Sequence, residues 1–382
     1  MERKKSKYFL LYLKTGGGHL APARSVAEHI CSHHPGTYDP VLIDGFEKSP
    51  RIIRFLVEDG YRTLQARAKW YFALIYALHK FPPIAHFSRT IVALLVTPYL
   101  RERILTERPE KIIIFHFLLT KPVSDILRRY NLAIPTITVV TDPFTAHPMW
   151  FLQRDQHYIV FSELLKEHCI QREMHEGQIS VFPFILNDRF SHPLPPGRIA
   201  ETRQRLGFSA QKKLILIFGG GDGMPKGDSI MERLVRSHPA AEIAIVCGRN
   251  TMLFQKATRL KERYPGHGIF VFGFVDFTYE LINISDIVIT KCGASSFMEV
   301  LLSGKIPIIN NYLWEQEKGN VEFVMQHGLG IYERRLRRLP GIIHSLIDNA
   351  GLASRFEANF AEARLENGTP RVSRFILDFG RT

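Results

Sequence analysis

Two glycine-rich turns lie nearly half a chain apart in this 382-residue sequence, and each directly follows a short apolar run. Thr15-Gly16-Gly17-Gly18-His19 follows Tyr8–Leu13, and Phe218-Gly219-Gly220-Gly221-Asp222-Gly223 follows Leu214–Ile217. Each reads as a buried strand running into a tight turn that opens a helix. Glycine lets backbone approach a ligand closely there, and a following helix N-terminus favours anions. Such a unit found twice predicts an α/β fold of two Rossmann-like domains facing each other across a cleft.

The remaining sequence repeats the alternation. Val41–Ile43, Lys111–Phe117, Thr136–Val140, His157–Phe161 and Ile179–Phe184 read as further strands of the first half. Glu242–Cys247, Ile269–Phe272, Asp286–Thr290 and Ile306–Asn310 read as those of the second. Strands alternating with helices predict parallel sheets covered on both faces. Ala21–Ser32 reads as the helix after the first turn, with Pro22 tolerated near its start. The proline-rich stretch Ser191–Gly197 reads as an interdomain linker. The predicted domains are residues 1–193 and 194–370, with a last helix over about 371–382 returning to the first.

The formal net charge is +13. An excess of this size favours an anionic partner: nucleic acid, acidic lipid headgroups or a phosphorylated ligand. No nucleic-acid-binding module is visible, so no nucleic-acid partner is expected. Cys31, Cys169, Cys247 and Cys292 form no Cys-x-x-Cys pair and read as reduced thiols. There is no Asp-x-Asp pair, so neither a metal nor a cofactor is expected. The basic N-terminus before Tyr8–Leu13 superficially resembles a signal peptide, but its apolar run is short, Lys14 interrupts it and no small-residue cleavage site follows. The longest apolar run, Trp70–Leu78, is far below the roughly 20 residues a spanning helix needs. The chain reads as soluble and able to lie on a membrane.

Lys48–Arg103 breaks the alternation, with helix-like sequence and no clear strand. Arg51, Arg54, Arg62, Arg67 and Lys69 stand beside Trp70, Tyr71 and Phe72. Basic residues interleaved with aromatics suit a lipid headgroup interface. Amphipathic helices packed on a sheet would carry the same pattern.

The densest signal is Gly273–Asn320. It holds Gly273-Phe274-Val275, Asp286–Lys291, Gly293-Ala294-Ser295-Ser296-Phe297-Met298-Glu299 and Gln316-Glu317-Lys318-Gly319-Asn320. Together with Gly-Gly-Gly-His at His19, the run Thr141–Trp150 and the turn Gly219–Gly223, these stretches resemble the monogalactosyldiacylglycerol synthase and processive diacylglycerol glucosyltransferase family. That family is related to the enzyme that adds N-acetylglucosamine to lipid-linked peptidoglycan precursor. The resemblance spans roughly Tyr8 to Tyr332. It implies an inverting glycosyltransferase of the GT-B type, with a UDP-sugar held by the second domain and a lipid accepted by the first.

The site residues follow from residues and resemblance together. A neutral imidazole at His19 suits removal of an alcohol proton near pH 7. The family's matching histidine is its proposed base; a histidine capping the following helix is the plain alternative. Ser296 and Glu299 have the spacing of a capping box, while the family's matching glutamate holds the ribose. Gly219, Gly220, Gly221, Gly293, Ser295 and Ser296 match its nucleotide and phosphate contacts. Here Gly293-Ala294-Ser295 replaces the family's usual Gly-Pro-Gly-Thr, and Phe182-Pro183-Phe184-Ile185 replaces its usual Gly-x-Pro. Gln316, Glu317 and Asn320 match its sugar-contacting segment, with Glu315 where relatives often carry a small residue. Gly17, Gly18, Asp142 and His147 fall on the acceptor side, a structural turn at Asp142-Pro143 being the default. Lys226 and Arg249 are candidate phosphate cations or ordinary surface charges. Arg62, Arg67, Lys69, Trp70 and Tyr71 are the candidate membrane residues.

The resulting expectation is transfer of a hexose from a UDP-sugar substrate to diacylglycerol or a glycosyl-diacylglycerol. It would occur at an anionic membrane surface, the inner face of the cell membrane. Alternatives are transfer of N-acetylglucosamine to a polyprenyl-linked acceptor, UDP-sugar epimerisation on the same fold, and nucleotide binding without catalysis.

Overall fold

The computed structural model describes residues 5–14, 17–55, 69–237, 239–313 and 315–380. It separates into two compact units, Met1–Asp188 with Asn367–Thr382, and Arg189–Glu366.

The first unit holds strands β1 (Ser6–Tyr12), β2 (Tyr38–Asp44), β3 (Lys111–Ile114), β4 (Thr136–Val139), β5 (His157–Val160) and β6 (Ile179–Val181). They form a parallel sheet in the order β2-β1-β3-β4-β5-β6. The second unit holds β7 (Lys213–Phe218), β8 (Ala241–Val246), β9 (Ile269–Phe272), β10 (Ile287–Lys291), β11 (Ile306–Asn311) and β12 (Ile331–Tyr332). Their order is β12-β11-β10-β7-β8-β9, again parallel. Strand β12, two residues long, is the one that the sequence did not announce.

The strand sequences explain the pattern. All of β3 and β4 is buried, and so is β7 after Lys213. Strands covered on both faces carry continuous apolar runs rather than alternating ones. Each fully buried Ile, Leu or Val there contributes about 1.5–3 kcal/mol, offset by the entropy of ordering the chain. In the first unit the crossovers reverse direction between β1 and β3, and in the second between β7 and β10. In open α/β sheets, ligands bind beyond the carboxyl ends of the strands at that reversal. The Gly17–His33 helix follows one such end, and the Gly220–Asp222 turn follows the other.

Three local features differ from the sequence expectation. The helix after the first turn runs from Gly17 to His33, so Pro22 falls inside it. A proline there withdraws the hydrogen bond that Gly18's carbonyl would accept. The proline-rich stretch is no loose linker, because it is bonded to the second unit. Leu194 N–H donates to Asn283 Oδ1 over 3.1 Å, and Tyr279 O–H donates to the His192 carbonyl over 2.8 Å. The chain parts earlier, between Asp188 and Arg189.

The C-terminal helix Thr369–Asp378 belongs to the first unit, packed on the Gly17–His33 helix. Lys111 Nζ donates to the carbonyls of Ile376 (2.7 Å) and Leu377 (2.6 Å), a cation at the negative helix end. A side chain on Gly368 would stand 1.8 Å from the Pro183 carbonyl oxygen, so only glycine permits this entry.

Candidate active site

In the first unit, His19 is the third residue of the Gly17–His33 helix. It is therefore not a cap. Its Nδ1 lies 2.8 Å from Thr141 Oγ1, and the Phe115 carbonyl accepts a hydrogen bond from the ring. Removal from water pushes its pKa down to about 4, against the smaller upward pull of that bond. The imidazole is thus neutral at pH 7. The tautomer with Nδ1–H turned to Thr141 Oγ1 leaves Nε2 with its lone pair. Gly18 beside it has nothing within 4 Å of where a side chain would begin, which leaves space at the helix start.

Aromatic rings hold His19 from behind. His116, just past the end of β3, lies 4.4 Å away between ring centroids, and Trp150 lies 6.1 Å away. His116 Nδ1 accepts from Leu118 N–H over 3.2 Å. Burial, and secondarily His19 itself, holds its pKa well below the usual range. Asp142 turns inward: its Oδ2 accepts from Trp150 Nε1 over 2.9 Å, and both residues are buried. His147 turns inward too. Its Nδ1 accepts from Met149 N–H over 3.1 Å, its Nε2 is 3.2 Å from the Tyr76 carbonyl, and burial brings its pKa to about 4. Asp142 and His147 therefore brace the loop that carries Trp150. Thr141 and Trp150 lay in the run that the sequence singled out but were given no role there, and His116 was not singled out. The signal for His116 was its place at a strand's carboxyl end beside the crossover reversal.

In the second unit, the glycine turn is a single 3₁₀ turn, Gly220–Asp222, and the next helix starts only at Gly227. The glycines divide by role. A side chain on Gly219 would meet Gly223 oxygen at 2.4 Å, and one on Gly248 would meet Gly221 oxygen at 2.3 Å, so these two close the turn. A side chain on Gly220, which has φ +73°, would begin 3.2 Å from Ser296 Oγ, and one on Gly221 3.0 Å from Arg249 Nη1. Arg249 also lies over the Phe274 ring at 4.4 Å. Lys226 is the N-cap of the Gly227–Arg236 helix, in a left-handed conformation.

Opposite the turn, β10 shifts register between Thr290 and Lys291 and runs into the Ala294–Leu302 helix. Gly293 is the N-cap, and no side chain caps the helix, so Ser296 and Glu299 make no capping box. Ser295 Oγ is buried with no hydrogen-bond partner. Unfilled helix N–H groups, a waiting hydroxyl and a glycine turn together suit a phosphate. Burial raises the Glu299 pKa to about 7, and the nearby Arg189 charge lowers it in part. Arg189, whose Nη1 also reaches the Asp276 carbonyl at 3.4 Å, escaped the sequence reading.

The segment Gln316–Asn320 lies beside this helix start. Glu317 Oε1 is 3.8 Å from where a Gly293 side chain would begin, and Glu317 Oε2 accepts from Leu313 N–H. Gln316 is half-buried in the preceding 3₁₀ turn. Asn320, the third expected sugar contact, keeps its Oδ1 buried with no hydrogen-bond partner. It is 1% exposed, and its amide donates to the Cys292 carbonyl over 2.8 Å, clamping the end of β10.

Of the candidate membrane residues, Arg62 and Arg67 lie outside the described residues. Lys69, Trp70 and Tyr71 form the first turn of the Lys69–Leu78 helix. Leu74 and Leu78 of that helix are exposed, as are Phe81 and then Phe87, Ile91 and Leu94 of the Pro82–Glu107 helix. Phe87, Ile91 and Leu94 share one helical face. Among the described residues no helix is long and apolar enough to cross a membrane.

Residues 19–183 match the family model for monogalactosyldiacylglycerol (MGDG) synthase, and residues 214–367 match the glycosyltransferase family 28 C-terminal domain. The two matches lie one in each half of the chain. It is 27% identical to a probable chloroplastic MGDG synthase of Nicotiana tabacum over 88% of this chain and 64% of that one. It is 22% identical to a processive diacylglycerol beta-glucosyltransferase of Bacillus pumilus over 97% and 94%. The chain spans just under two thirds of the length of four plant synthases it matches and 74% of a fifth. Among solved structures, MurG of Acinetobacter baumannii is similar with a TM-score of 0.59 at 13% identity, covering 98% of this chain and all of that one. Anabaena Alr3699/HepE, solved with UDP and glucose, has a TM-score of 0.57 at 15% identity and 98% coverage of both chains. The fold is GT-B.

Proposed function

We propose that the protein transfers a hexose from a UDP-sugar to diacylglycerol or a glycosyl-diacylglycerol, with inversion, at an anionic membrane surface. One observation carries the donor half of this reading. An uncapped helix start at Gly293 faces the Gly220 turn, with the Ser295 hydroxyl unpartnered and the Glu299 carboxylate nearby. The diphosphate sits on the helix N–H groups and the Ser295 hydroxyl, the ribose hydroxyls donate to Glu299, and Gln316 and Glu317 hold the hexose. His19 Nε2 takes the proton of the acceptor hydroxyl as its oxygen bonds to C1. The bond from C1 to the phosphate oxygen breaks in the same displacement, and UDP leaves with the electron pair. Donors already aimed at the phosphate stabilise that charge without a metal.

Glu299 supplies a first test. Its raised pKa means that folding favours the protonated form. Its contribution to stability is full below the ordinary value of 4.5 and is lost as pH rises through about 7. A carboxylate kept at such a cost points to function. Glu299→Gln should therefore weaken UDP binding by on the order of 1.5–3 kcal/mol, while thermal stability at pH 8 holds or rises. Unchanged UDP affinity by calorimetry with a lower melting temperature would give Glu299 a structural role only.

The acceptor and the membrane are tested together. The exposed apolar side chains Leu74, Leu78, Phe87, Ile91 and Leu94 suit insertion into the headgroup region. The protein, given labelled UDP-glucose, UDP-galactose or UDP-N-acetylglucosamine and phosphatidylglycerol vesicles containing diacylglycerol, should yield a glycosyl-diacylglycerol. Phe87→Glu with Leu94→Glu should reduce vesicle sedimentation and lipid glycosylation, yet spare a short-chain soluble acceptor. A product formed only on a polyprenyl phosphate lipid, or UDP-sugar epimerised with no lipid product, would replace the reading.

A further inference from the structure

We propose that His29, His33 and Asp188 form a binding site for a divalent transition metal of the zinc class. The residues lie in the first unit, apart from the chemistry assigned above. His29 and His33 are one turn apart on the Gly17–His33 helix, and Asp188 is the last residue before the chain leaves this unit. His19 is on the same helix ten residues earlier, roughly 15 Å along its axis at about 1.5 Å per residue.

The ligand atoms already converge. His29 Nδ1 is 2.7 Å from Asp188 Oδ2. The imidazoles are stacked, with ring centroids 4.0 Å apart. One ligand atom from each of the three residues lies within 4.8 Å of the others. A tetrahedral ion with ligands at about 2.1 Å sets them roughly 3.4 Å apart. Entry of the ion thus needs a small spreading of the His29–Asp188 pair and a turn of the exposed His33 ring, whose Nδ1 otherwise lies 3.0 Å from the His29 carbonyl and from Ser32 Oγ.

Two further observations separate this cluster from a chance ion pair. Asp188 Oδ1 is buried with no hydrogen-bond partner, although its other oxygen is engaged. A metal would satisfy it, whereas a His–Asp pair alone leaves it orphaned. The segment that presents Asp188 is also fixed in advance. Asn367 accepts from Leu186 N–H over 3.1 Å and donates to the carbonyls of Leu186 (3.1 Å) and Asn187 (3.0 Å). Asn187 in turn donates to Glu28 Oε2 over 2.9 Å, which places another carboxylate beside the helix. Two imidazoles and a carboxylate suit zinc, nickel or cobalt rather than calcium or magnesium. The exposed edge at His33 leaves a fourth position for water and a path for entry. The sequence reading missed this because its search for metal ligands rested on cysteines and paired aspartates, and Asp188 is remote along the chain.

The full-length protein, stripped with EDTA and titrated with zinc chloride at pH 7.5 in a calorimeter, should take up an equivalent that depends on these residues. Asp188→Asn and His33→Ala should each weaken it by at least about tenfold. His327→Ala, which removes an exposed histidine in the second unit, should not. Cobalt should give a visible band in the parent that fades in both variants. Zinc should raise the melting temperature of the parent and leave that of Asp188→Asn unchanged, as expected for an ion bound only by the folded state. His33 is exposed, so His33→Ala keeps the test valid if Asp188→Asn does not fold. The site is overturned if the parent takes up no zinc, or if His33→Ala matches it in affinity and stoichiometry.

Discussion

Replacing His19 with alanine should slow sugar transfer by about 10²–10⁴-fold, the usual contribution of a positioned general base. UDP affinity should stay near that of the parent, since His19 stands in the first unit and the proposed nucleotide contacts in the second. Thr141 orients the imidazole through the 2.8 Å contact at Nδ1. Thr141→Val should therefore lose part of the rate while keeping the same ring. Rates measured at saturating donor and acceptor decide the matter. A His19→Ala enzyme as fast as the parent would remove His19 from the proton transfer.

Acid should loosen the first unit ahead of the second. The pKa of His147 falls to about 4, and that of His116 lies well below the ordinary 6.5. Both are buried and neutral when folded. The unfolded chain then binds more protons below pH 6.5, so stability is full above that value and declines as pH falls toward the folded pKa. For His147 alone the shift corresponds to roughly 3 kcal/mol lost between about pH 6.5 and pH 4. Glu299 in the second unit has the opposite sign. Hydrogen exchange followed by mass spectrometry from pH 7 to 4.5 should show protection falling first around β3, β4 and the Pro148–Phe151 turn. Uniform protection across both units over that range would count against the imidazoles as the cause.

The sheets were legible because parallel strands are apolar throughout, and Ile269–Phe272 emerged with its bounds as predicted. Strand β12 carried too little sequence to be seen, being only two residues at a sheet edge. Helix starts were less legible. Ser296-x-x-Glu299 has the spacing of a cap, yet the helix begins at Ala294, because the backbone after β10 turns there and an unfilled start suits a ligand. Side-chain direction was not legible at all. Asn320 and Asp142 have the composition of ligand contacts and both are buried: the Asn320 N–H and the Asp142 carboxylate find partners in Cys292 and Trp150, while Asn320 Oδ1 is left without one. His116, Arg189 and Asp188 gain their significance only from neighbours distant in the chain.

The return of Thr369–Asp378 to the first sheet has a consequence for how the protein is made. The strands of that sheet leave the ribosome before the second unit, but the helix whose last carbonyls Lys111 holds follows that unit. At about 5–20 residues per second, the intervening unit takes roughly ten seconds or more to synthesise. For that interval the nascent first unit has an uncovered surface on its Gly17–His33 helix, while the later unit can fold as soon as it emerges. Loss of Thr369–Asp378, by a premature stop or by proteolysis, would therefore injure the unit whose strands are made before the second unit.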